Sequence, residues 1–266
     1  QISEPLTQDT PHVAVLNISG GLVSRATPGL CDDGPLSYEA IRSAFDQSLA
    51  DPSVTAVMFR MDSPGGMASG CFDLADHIYA SRGSKPIVAV VDDMAYSAAY
   101  ALASACDQVW VSRTGGVGSI GVVAYHIDQS GMNEKVGLKV TPIYAGGHKV
   151  DFSPHAELSD DARDIGQAEV NALYALFVQS VSAYRGLSAE SVQATDALTY
   201  TGESAIAAGL ADKVGTFRDA LASLASEPVT APAQPQAQEP DQGASEAMAR
   251  GKAAAFISAA GLAPDL

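Results

Sequence analysis

Basic residues are scarce in this chain of 266 residues. Lysine and arginine together number 15, against 31 aspartates and glutamates, which gives a formal net charge of −16 at pH 7. Proteins that bind nucleic acids offer a basic surface to the phosphates, and anionic membranes attract basic segments in the same way. The composition therefore argues against nucleic acid and against a membrane surface as partners.

Cysteines and long apolar runs are also few. The three cysteines, Cys31, Cys71 and Cys106, form no CxxC pair and have no zinc-site spacing. We expect buried or incidental thiols in a reducing compartment. No segment reaches the roughly 18 apolar residues of a membrane span, and no basic-then-apolar signal sequence opens the chain at Gln1. These absences predict a cytoplasmic protein without a membrane partner.

The sequence does contain short apolar runs that alternate with helical patterns. Continuous apolar strands between helices are typical of a sheet that is covered on both faces, so the predicted fold class is α/β. The predicted strands are 12–18, 54–61, 86–91, 108–112 and 121–127. The predicted helices are 37–50, 69–81 and about 159–184, with shorter ones near 188–194, 202–208 and 217–225.

The residue composition of the sequence changes at Glu227. The stretch EPVTAPAQPQAQEPDQG (227–243) is rich in proline, glutamine and alanine and has no apolar period, which predicts a linker. The stretch 245–261 is amphipathic but has too few large apolar residues to fold alone. The predicted organisation is a domain over 1–226, a linker over 227–243 and a short amphipathic tail over 244–266.

A serine stands at the junction of a predicted strand and a run of small residues. In VVDDMAYSAAYALASA (91–106), Ser97 opens a segment that predicts a tightly buried helix. The first amides of a helix lack partners, so the amide of Ala98 could bind a developing oxyanion beside a nucleophilic Ser97. The alternative is an ordinary N-cap serine, since serine is favoured at that position.

Two glycine-rich motifs flank this serine in the sequence. The motif DSPGG (62–66) follows a predicted strand, and GVGSIGVV (116–123) contains Ser119 between glycines. Glycine permits positive φ and close backbone approach. In a parallel sheet, the loop at DSPGG and the loop at Ser97 emerge at one edge. Taken singly, each motif also fits an ordinary glycine-rich loop.

A nucleophilic serine needs a general base, and two residues are candidates. His126 lies on a predicted strand 29 positions after Ser97, whereas Lys149 lies in the loop YAGGHKVDFSP (144–154). A lysine acts as a base near neutrality only where burial lowers its pKa. We expect His12 and His77 to be structural or exposed.

Together these motifs resemble the signal peptide peptidase A family, and in particular its phage prohead-protease branch. DSPGG, DDMAYSAAYALASACDQVWVS, TGGVGSIGVV and GGHKVDFSPHAELSDDAR stand in the order and approximate spacing of that family. The resemblance covers residues from about 12 to 224. It implies a Clp protease/crotonase-like β-superhelix with flanking helices, and peptide hydrolysis by a Ser–Lys dyad without a metal or an organic cofactor.

The resemblance also assigns roles to individual residues. Ser97 matches the nucleophile, Lys149 the general base, and Ser119 the serine that orients the lysine. Gly66 and Ala98 match the oxyanion-hole donors. The neighbouring Gly65 and Met67 are expected to bind substrate. The sequence departs from the family where Ser-Gly-Gly is replaced by Ser97-Ala98-Ala99, which keeps the amide donor but adds bulk beside the cleft.

The phage branch implies capsid, portal or scaffold proteins as substrates, a homo-oligomer, and action inside an assembling prohead in the host cytoplasm. The tail then resembles the remnant of a scaffold-like extension. Four alternatives stay open at this point: a cytosolic peptidase of short peptides, a Clp-like Ser–His peptidase using His126, a crotonase-type acyl-CoA enzyme, and a non-catalytic scaffold module. An acidic chain suits the phosphates of CoA poorly.

Overall fold

The computed structural model describes residues 10–26 and 34–226. Its strands are β1 (His12–Val23), β2 (Leu36–Ser37), β3 (Val54–Gly66), β4 (Ile87–Tyr96), β5 (Gln108–Val111), β6 (Gly116–Gly118), β7 (Thr199–Thr201) and β8 (Lys213–Val214). Its helices are α1 (Tyr38–Ala50), α2 (Cys71–Ala80), α3 (Ala98–Ser104), α4 (Ser130–Lys135), α5 (Asp160–Arg185), α6 (Ala189–Gln193), α7 (Glu203–Ala207) and α8 (Phe217–Ser226). The α/β fold class predicted from the sequence is confirmed.

The sheet is mostly parallel and divides at β4. The main path runs β2-β1-β3-β4-β5-β8, and all of these pairings are parallel. The first half of β4 pairs with β5, from Val88 to Val91. Its last residues, Met94 to Tyr96, pair instead with β6, which in turn pairs antiparallel with β7. The carboxyl end of β4 therefore lies between β3 and β6.

Helices cover both faces of the sheet. The larger buried cluster joins one face to α1, α2, α3 and the second half of α5. On the other face, α8 packs with Ala220 against a smaller cluster that includes Met58 and Trp110. Burying a large apolar side chain stabilises a fold by about 1.5–3 kcal/mol. The two clusters therefore hold the β3–β4 region firmly from both sides.

Helix α3 is surrounded on all sides. All seven of its residues are buried, and most are alanine, so neighbouring elements can approach closely. At its C-terminal end, the buried guanidinium of Arg82 donates to Ser104 O (3.0 Å), Ala105 O (2.9 Å) and Tyr184 O (3.2 Å), and also contacts Cys106 O. Helix C-termini leave carbonyl groups without partners. Arg82 satisfies these groups and so fixes α3 in position.

Two sequence-based predictions are wrong in detail. Residues 121–127 form no strand, because the chain leaves the sheet after β6, and Tyr125 and Ile127 are 85% and 68% exposed. The motif DSPGG is not a turn, since β3 continues to Gly66 and pairs with β1. The strands predicted at 12–18, 54–61, 86–91 and 108–112, and the predicted helices, lie within the observed elements or within two residues of them.

Several features bear on anchoring, metals and thiols. Within residues 10–26 and 34–226, no helix combines the length and the apolar character that crossing a bilayer requires. The same residues hold no group of three or more His, Cys, Asp or Glu side chains placed to bind a metal ion. Cys71 and Cys106 are free and buried. Cys31, the predicted linker and the predicted tail lie outside the described residues.

Candidate active site

Ser97 occupies the sharp junction between β4 and α3. Its backbone has φ 51° and ψ −123°, and its amide donates to Gly118 O on β6 at 2.9 Å. Its side chain makes no capping hydrogen bond, so the N-cap role does not account for the serine. A non-glycine residue in such a conformation costs about 1–3 kcal/mol and is found mainly at functional sites. Ser97 therefore stands at the carboxyl end of β4, where the strands of the sheet end.

The start of α3 supplies free amides beside Ser97. The first hydrogen bond of the helix runs from Ala101 N to Ser97 O at 3.0 Å. The amide of Ala98 therefore has no partner within the helix. Because the positive end of the helix dipole lies here, the amide of Ala98 is suited to stabilise negative charge that develops next to Ser97.

The end of β3 supplies a second amide. Met67 N donates to Leu22 O on β1 at 2.9 Å. Backbone N–H groups alternate in direction along a strand, so the amide of Gly66 points away from β1, toward the side that holds Ser97. A Cβ at Gly66 would lie 1.9 Å from Leu22 O. Only glycine allows β1 and β3 to approach so closely, which explains the residue type at this position.

These groups border a pocket of about 210 Å³. Its lining residues are Gly66, Met67, Ala68, Cys71, Phe72, Ser97, Ala98, Gly121, Val122, Val123 and Phe177. No charged side chain lines it, and Phe72 and Phe177 pack edge to face with ring centroids 5.5 Å apart. Phe72 and Phe177 could not be predicted from the sequence as pocket residues, since Phe177 belongs to α5 and no motif links it to the serine. The pocket is therefore lined mainly by apolar side chains and backbone.

Cys71 is the second nucleophilic side chain at the pocket. Burial raises the pKa of its thiol to about 12, and the thiol donates to Ala98 O at 3.5 Å. Burial likewise raises the pKa of the neighbouring Tyr38, whose hydroxyl donates to Met67 O at 2.6 Å. Only a thiolate is nucleophilic. Cys71 is therefore not suited to attack at neutral pH.

Ser119 directly follows Gly118, whose carbonyl oxygen accepts the hydrogen bond from the Ser97 amide. It lies just after β6 with φ 53°, and its amide donates to Leu198 O at 2.9 Å. Its hydroxyl makes no hydrogen bond to any of the described residues, and Ser119 is partly buried. The fold thus brings Ser119 and Ser97 together through Gly118.

Lys149 lies away from this pocket in the described chain. Its amide donates to Gly146 O at 3.1 Å, within a series of turns, and its side chain is exposed. Its neighbour His148 pairs with Asp151 at 2.9 Å. Lys149 does not line the pocket beside Ser97. Within the described residues, Lys149 is thus an exposed side chain that is not among those lining the pocket of Ser97.

His126 is also away from Ser97. Its Nε2 lies 3.0 Å from Ser153 O, and it lines a different pocket, with Phe152 and Arg163. Of the other histidines, His77 pairs with Asp46 at 2.5 Å. The geometry therefore gives no support to a Ser–His arrangement.

Comparison with known proteins identifies the family. Residues 79–229 match the model of peptidase family S49. Capsid assembly protease C of Escherichia phage lambda is 43% identical over 209 residues, which cover 79% of this chain and 48% of that protein. Head-tail preconnector protein GP5 of Enterobacteria phage P21 is 39% identical over 214 residues, which cover 80% of this chain and 43% of that protein.

This chain spans about half the length of these curated relatives. Among solved structures, a mutant of the 1510-N membrane-bound stomatin-specific protease superposes with a TM-score of 0.53 at 15% identity, covering 81% of this chain and 84% of that one. That likeness concerns the fold and confirms the expected sheet with flanking helices. The family model covers more than half of the sequence, and the motif resemblance is confirmed. The chain belongs to peptidase family S49.

Proposed function

We propose that this chain is a serine endopeptidase whose nucleophile is Ser97. The observation that carries the proposal is the strained junction at Ser97, which lines an apolar pocket together with Gly66 and Ala98. Nucleophile, oxyanion donors and a cleft for an extended chain are the parts that acyl transfer needs. Membership of a peptidase family supports the same chemistry.

The proposed reaction has two stages. A neutral Lys149 takes the proton of Ser97 Oγ as the oxygen attacks the scissile carbonyl, and Ser119 holds the lysine in place. The amides of Gly66 and Ala98 stabilise the tetrahedral oxyanion. Lys149 then protonates the leaving amine, and water hydrolyses the acyl-enzyme. Gly65 and Met67 are proposed to hold the substrate backbone beside the pocket. The mechanism uses no metal or organic cofactor.

The role of Lys149 requires a change in its surroundings. General-base chemistry needs a neutral amine, which burial favours, and Lys149 is exposed in the described chain. Its loop therefore has to pack over Ser97, either within one chain or between copies. Mixing inactive Ser97→Ala and Lys149→Ala chains separates the two arrangements. Recovered activity in the mixture requires a site shared between copies, and its absence assigns the site to one chain.

A homo-oligomer is part of the proposal. Residues 121–158, named here the exposed segment, carry many large apolar side chains in contact with solvent. Those more than half exposed are Val123, Tyr125, Ile127, Met132, Val136, Leu138, Ile143 and Tyr144. Contiguous apolar surface of this kind is typical of protein interfaces. Contact between copies through the exposed segment would bury it and cover Lys149.

The proposed substrates are capsid, portal or scaffold proteins of a phage head. The support is the identity to a capsid assembly protease and to a head-tail preconnector protein. The proposed place of action is the assembling prohead in the host cytoplasm. An acyl-CoA enzyme is disfavoured because no basic side chain lines the pocket.

The experiment that tests the proposal combines an active-site probe with a cleavage assay. A fluorophosphonate should label the wild type and not Ser97→Ala, and cleavage of candidate capsid and scaffold proteins should fall by at least about 10³-fold in that variant. Ser69→Ala, an exposed serine outside the pocket, is the control. Labelling without cleavage would show that the substrate is not among the proteins tested. Equal labelling of Ser97→Ala would overturn the assignment of Ser97 as the nucleophile. A non-catalytic scaffold would show neither.

The domain organisation is also a proposal. We propose that residues 1–226 form the peptidase domain, that 227–243 is a linker, and that 244–266 is a tether to partners in the capsid. The support is that the proposed site residues and their supporting helices lie before residue 226. A chain ending at Ser226 should hydrolyse small peptides at close to the full rate and lose recruitment to head proteins. A folded but inactive truncated chain would show that the tail completes the site.

A further inference from the structure

Among the described residues, the outer edge of β1 is a long sheet edge that lacks a partner strand over most of its length. β1 pairs with β3 from His12 to Leu22, but with β2 only at Leu22 and Val23. About ten residues, roughly 33 Å of strand, are therefore open on one side among the described residues. The other terminal strands of the sheet are much shorter, with two residues each in β2 and β8 and three in β7.

The register shows which backbone groups face outward. Val57 N donates to Pro86 O, so the neighbouring amide of Met58 points the other way, toward β1. In the ladder, the partner of Ala14 is the residue just before Met58. The N–H and C=O groups that point inward, toward β3, are therefore those of Ala14 and of every second residue after it. The N–H and C=O of Val13, Val15, Asn17 and Ser19 therefore point away from the sheet.

This edge has few of the features that protect sheet edges. Natural edges are short, carry Lys or Pro, or are covered by another element. From His12 to Val23 there is no Lys, Arg, Asp, Glu or Pro, and the register shift between Ser19 and Gly21 is the one irregularity beyond Val13. Of the four outward residues, Val15, Asn17 and Ser19 are exposed. Val13 alone packs against the smaller buried cluster, the one that contains Met58 and Trp110.

We propose that the outer edge of β1 pairs antiparallel with the same edge of a second copy of this chain, so that two sheets become one. Two observations favour a second copy as the occupant. The chain carries a net charge of −16, which opposes self-association, and β1 is a stretch without Asp, Glu, Lys or Arg where two copies can meet without repulsion. Moreover, any other added strand would create a new free edge, whereas twofold pairing removes the edge in both copies.

The proposal rests on the sheet edge alone and is independent of the peptidase function. It adds a second interface to the one proposed at the exposed segment. In the twofold arrangement, each outward residue of β1 faces an outward residue of the other copy, and the axis passes either through one such residue or midway between two of them. In the first case a cysteine at the axis lies next to its own counterpart, and in the second case cysteines two positions apart lie next to each other, which is the geometry that a disulfide needs.

Single-cysteine cross-linking tests the arrangement. Each variant carries one new cysteine at an outward position: Val13→Cys, Val15→Cys, Asn17→Cys or Ser19→Cys. Each also carries Cys31→Ser, and the remaining native cysteines, Cys71 and Cys106, are buried. Mild oxidation should give a covalent dimer most efficiently at one of these positions, or in a mixture of two variants whose cysteines are two positions apart, with less at the neighbouring positions. Thr55→Cys, an exposed position on the adjacent strand β3, is the matched control and should not link.

Two further variants test the pairing in solution. Asn17→Pro removes one outward amide and leaves the β1–β3 ladder intact, and Asn17→Lys places like charges at the interface. Each should halve the mass measured by light scattering while circular dichroism stays unchanged. If Asn17→Pro does not fold, Asn17→Lys alone decides. An unchanged mass together with no cross-link at any of the four positions would overturn the proposal. So would protection of the outward amides of Val13, Val15, Asn17 and Ser19 from hydrogen exchange in a monomer, since that would show that the chain covers its own edge.

Discussion

Gly65 and Ser97 pack directly against each other at the ends of β3 and β4. A Cβ added at Gly65 would lie 2.9 Å from Ser97 Cβ, 2.7 Å from Tyr96 O and 3.0 Å from Ala98 N. Gly65 also has φ +104°, a conformation that side chains rarely adopt. The position of Ser97, the proposed nucleophile, and of the Ala98 amide therefore depends on the absence of a side chain at residue 65.

We predict that Gly65→Ala reduces peptidase activity by at least about 10²-fold, because a displacement of about 1 Å in a reacting group costs a factor of that size. Gly83→Ala is the matched control, with a similar φ of +83° and nothing within 4 Å of the added Cβ. It should lower the melting temperature and leave the turnover number unchanged. Equal turnover numbers in the two variants would show that the Gly65–Ser97 contact is not needed for catalysis.

The choice of general base is tested by comparing three variants. Lys149→Ala should be as damaging as Ser97→Ala, whereas His126→Ala should be mild because His126 bonds to Ser153 O and lies outside the pocket. Lys139→Ala, also on the exposed segment, is the control for loss of a positive charge. The measurement is the turnover number on a small peptide ester and on a peptide. A larger loss in His126→Ala than in Lys149→Ala would indicate a Ser–His enzyme.

Ser119→Ala should weaken catalysis without abolishing it. A hydrogen bond that orients a reacting group contributes about 1–3 kcal/mol, which corresponds to roughly 5- to 150-fold in rate. Ser119→Thr, which keeps the hydroxyl, serves as the partial rescue, although its branched side chain is strained at φ 53°. Wild-type turnover in Ser119→Ala would return Ser119 to the role of a loop residue.

Thiol reagents should not inactivate the enzyme at neutral pH. With a pKa raised to about 12 by burial, the thiolate fraction of Cys71 at pH 7 is on the order of 10⁻⁵, against about 3% for an ordinary cysteine of pKa about 8.5. The measurement is the peptidase activity that remains after treatment with iodoacetamide. Inactivation should become faster as the pH rises toward 12, because the thiolate fraction of Cys71 increases. Cys71→Ser is the control. Rapid loss of activity at pH 7 that Cys71→Ser prevents would show that the pocket opens in solution.

The sequence was sufficient for the parts of the fold where local pattern and burial agree. Strands β1, β3, β4 and β5 are apolar runs bounded by polar or small residues, and Ser97 stands where a strand passes directly into small residues. Residues 121–127 show the limit. Their apolar character is that of a strand, but within residues 10–26 and 34–226 they pair with no strand, and exposed apolar side chains look like core side chains in one sequence.

The pocket could be predicted only in part for the same physical reason. Gly66, Ser97 and Ala98 lie in motifs because backbone geometry restricts their residue types. Phe72 and Phe177 line the pocket through packing between α2 and α5, and many large side chains satisfy a packing requirement. Contacts between residues far apart in sequence leave no local pattern.

The complete burial of α3 divides the pocket into two walls of different rigidity. Amides of α3 have no solvent-facing side and should exchange hydrogen only when the whole domain unfolds. The opposite wall, at Val122 and Val123, belongs to the exposed segment and has no strand partner. Differences in substrate preference between related chains should therefore accumulate at 121–158, where substitutions leave the wall that carries the nucleophile undisturbed.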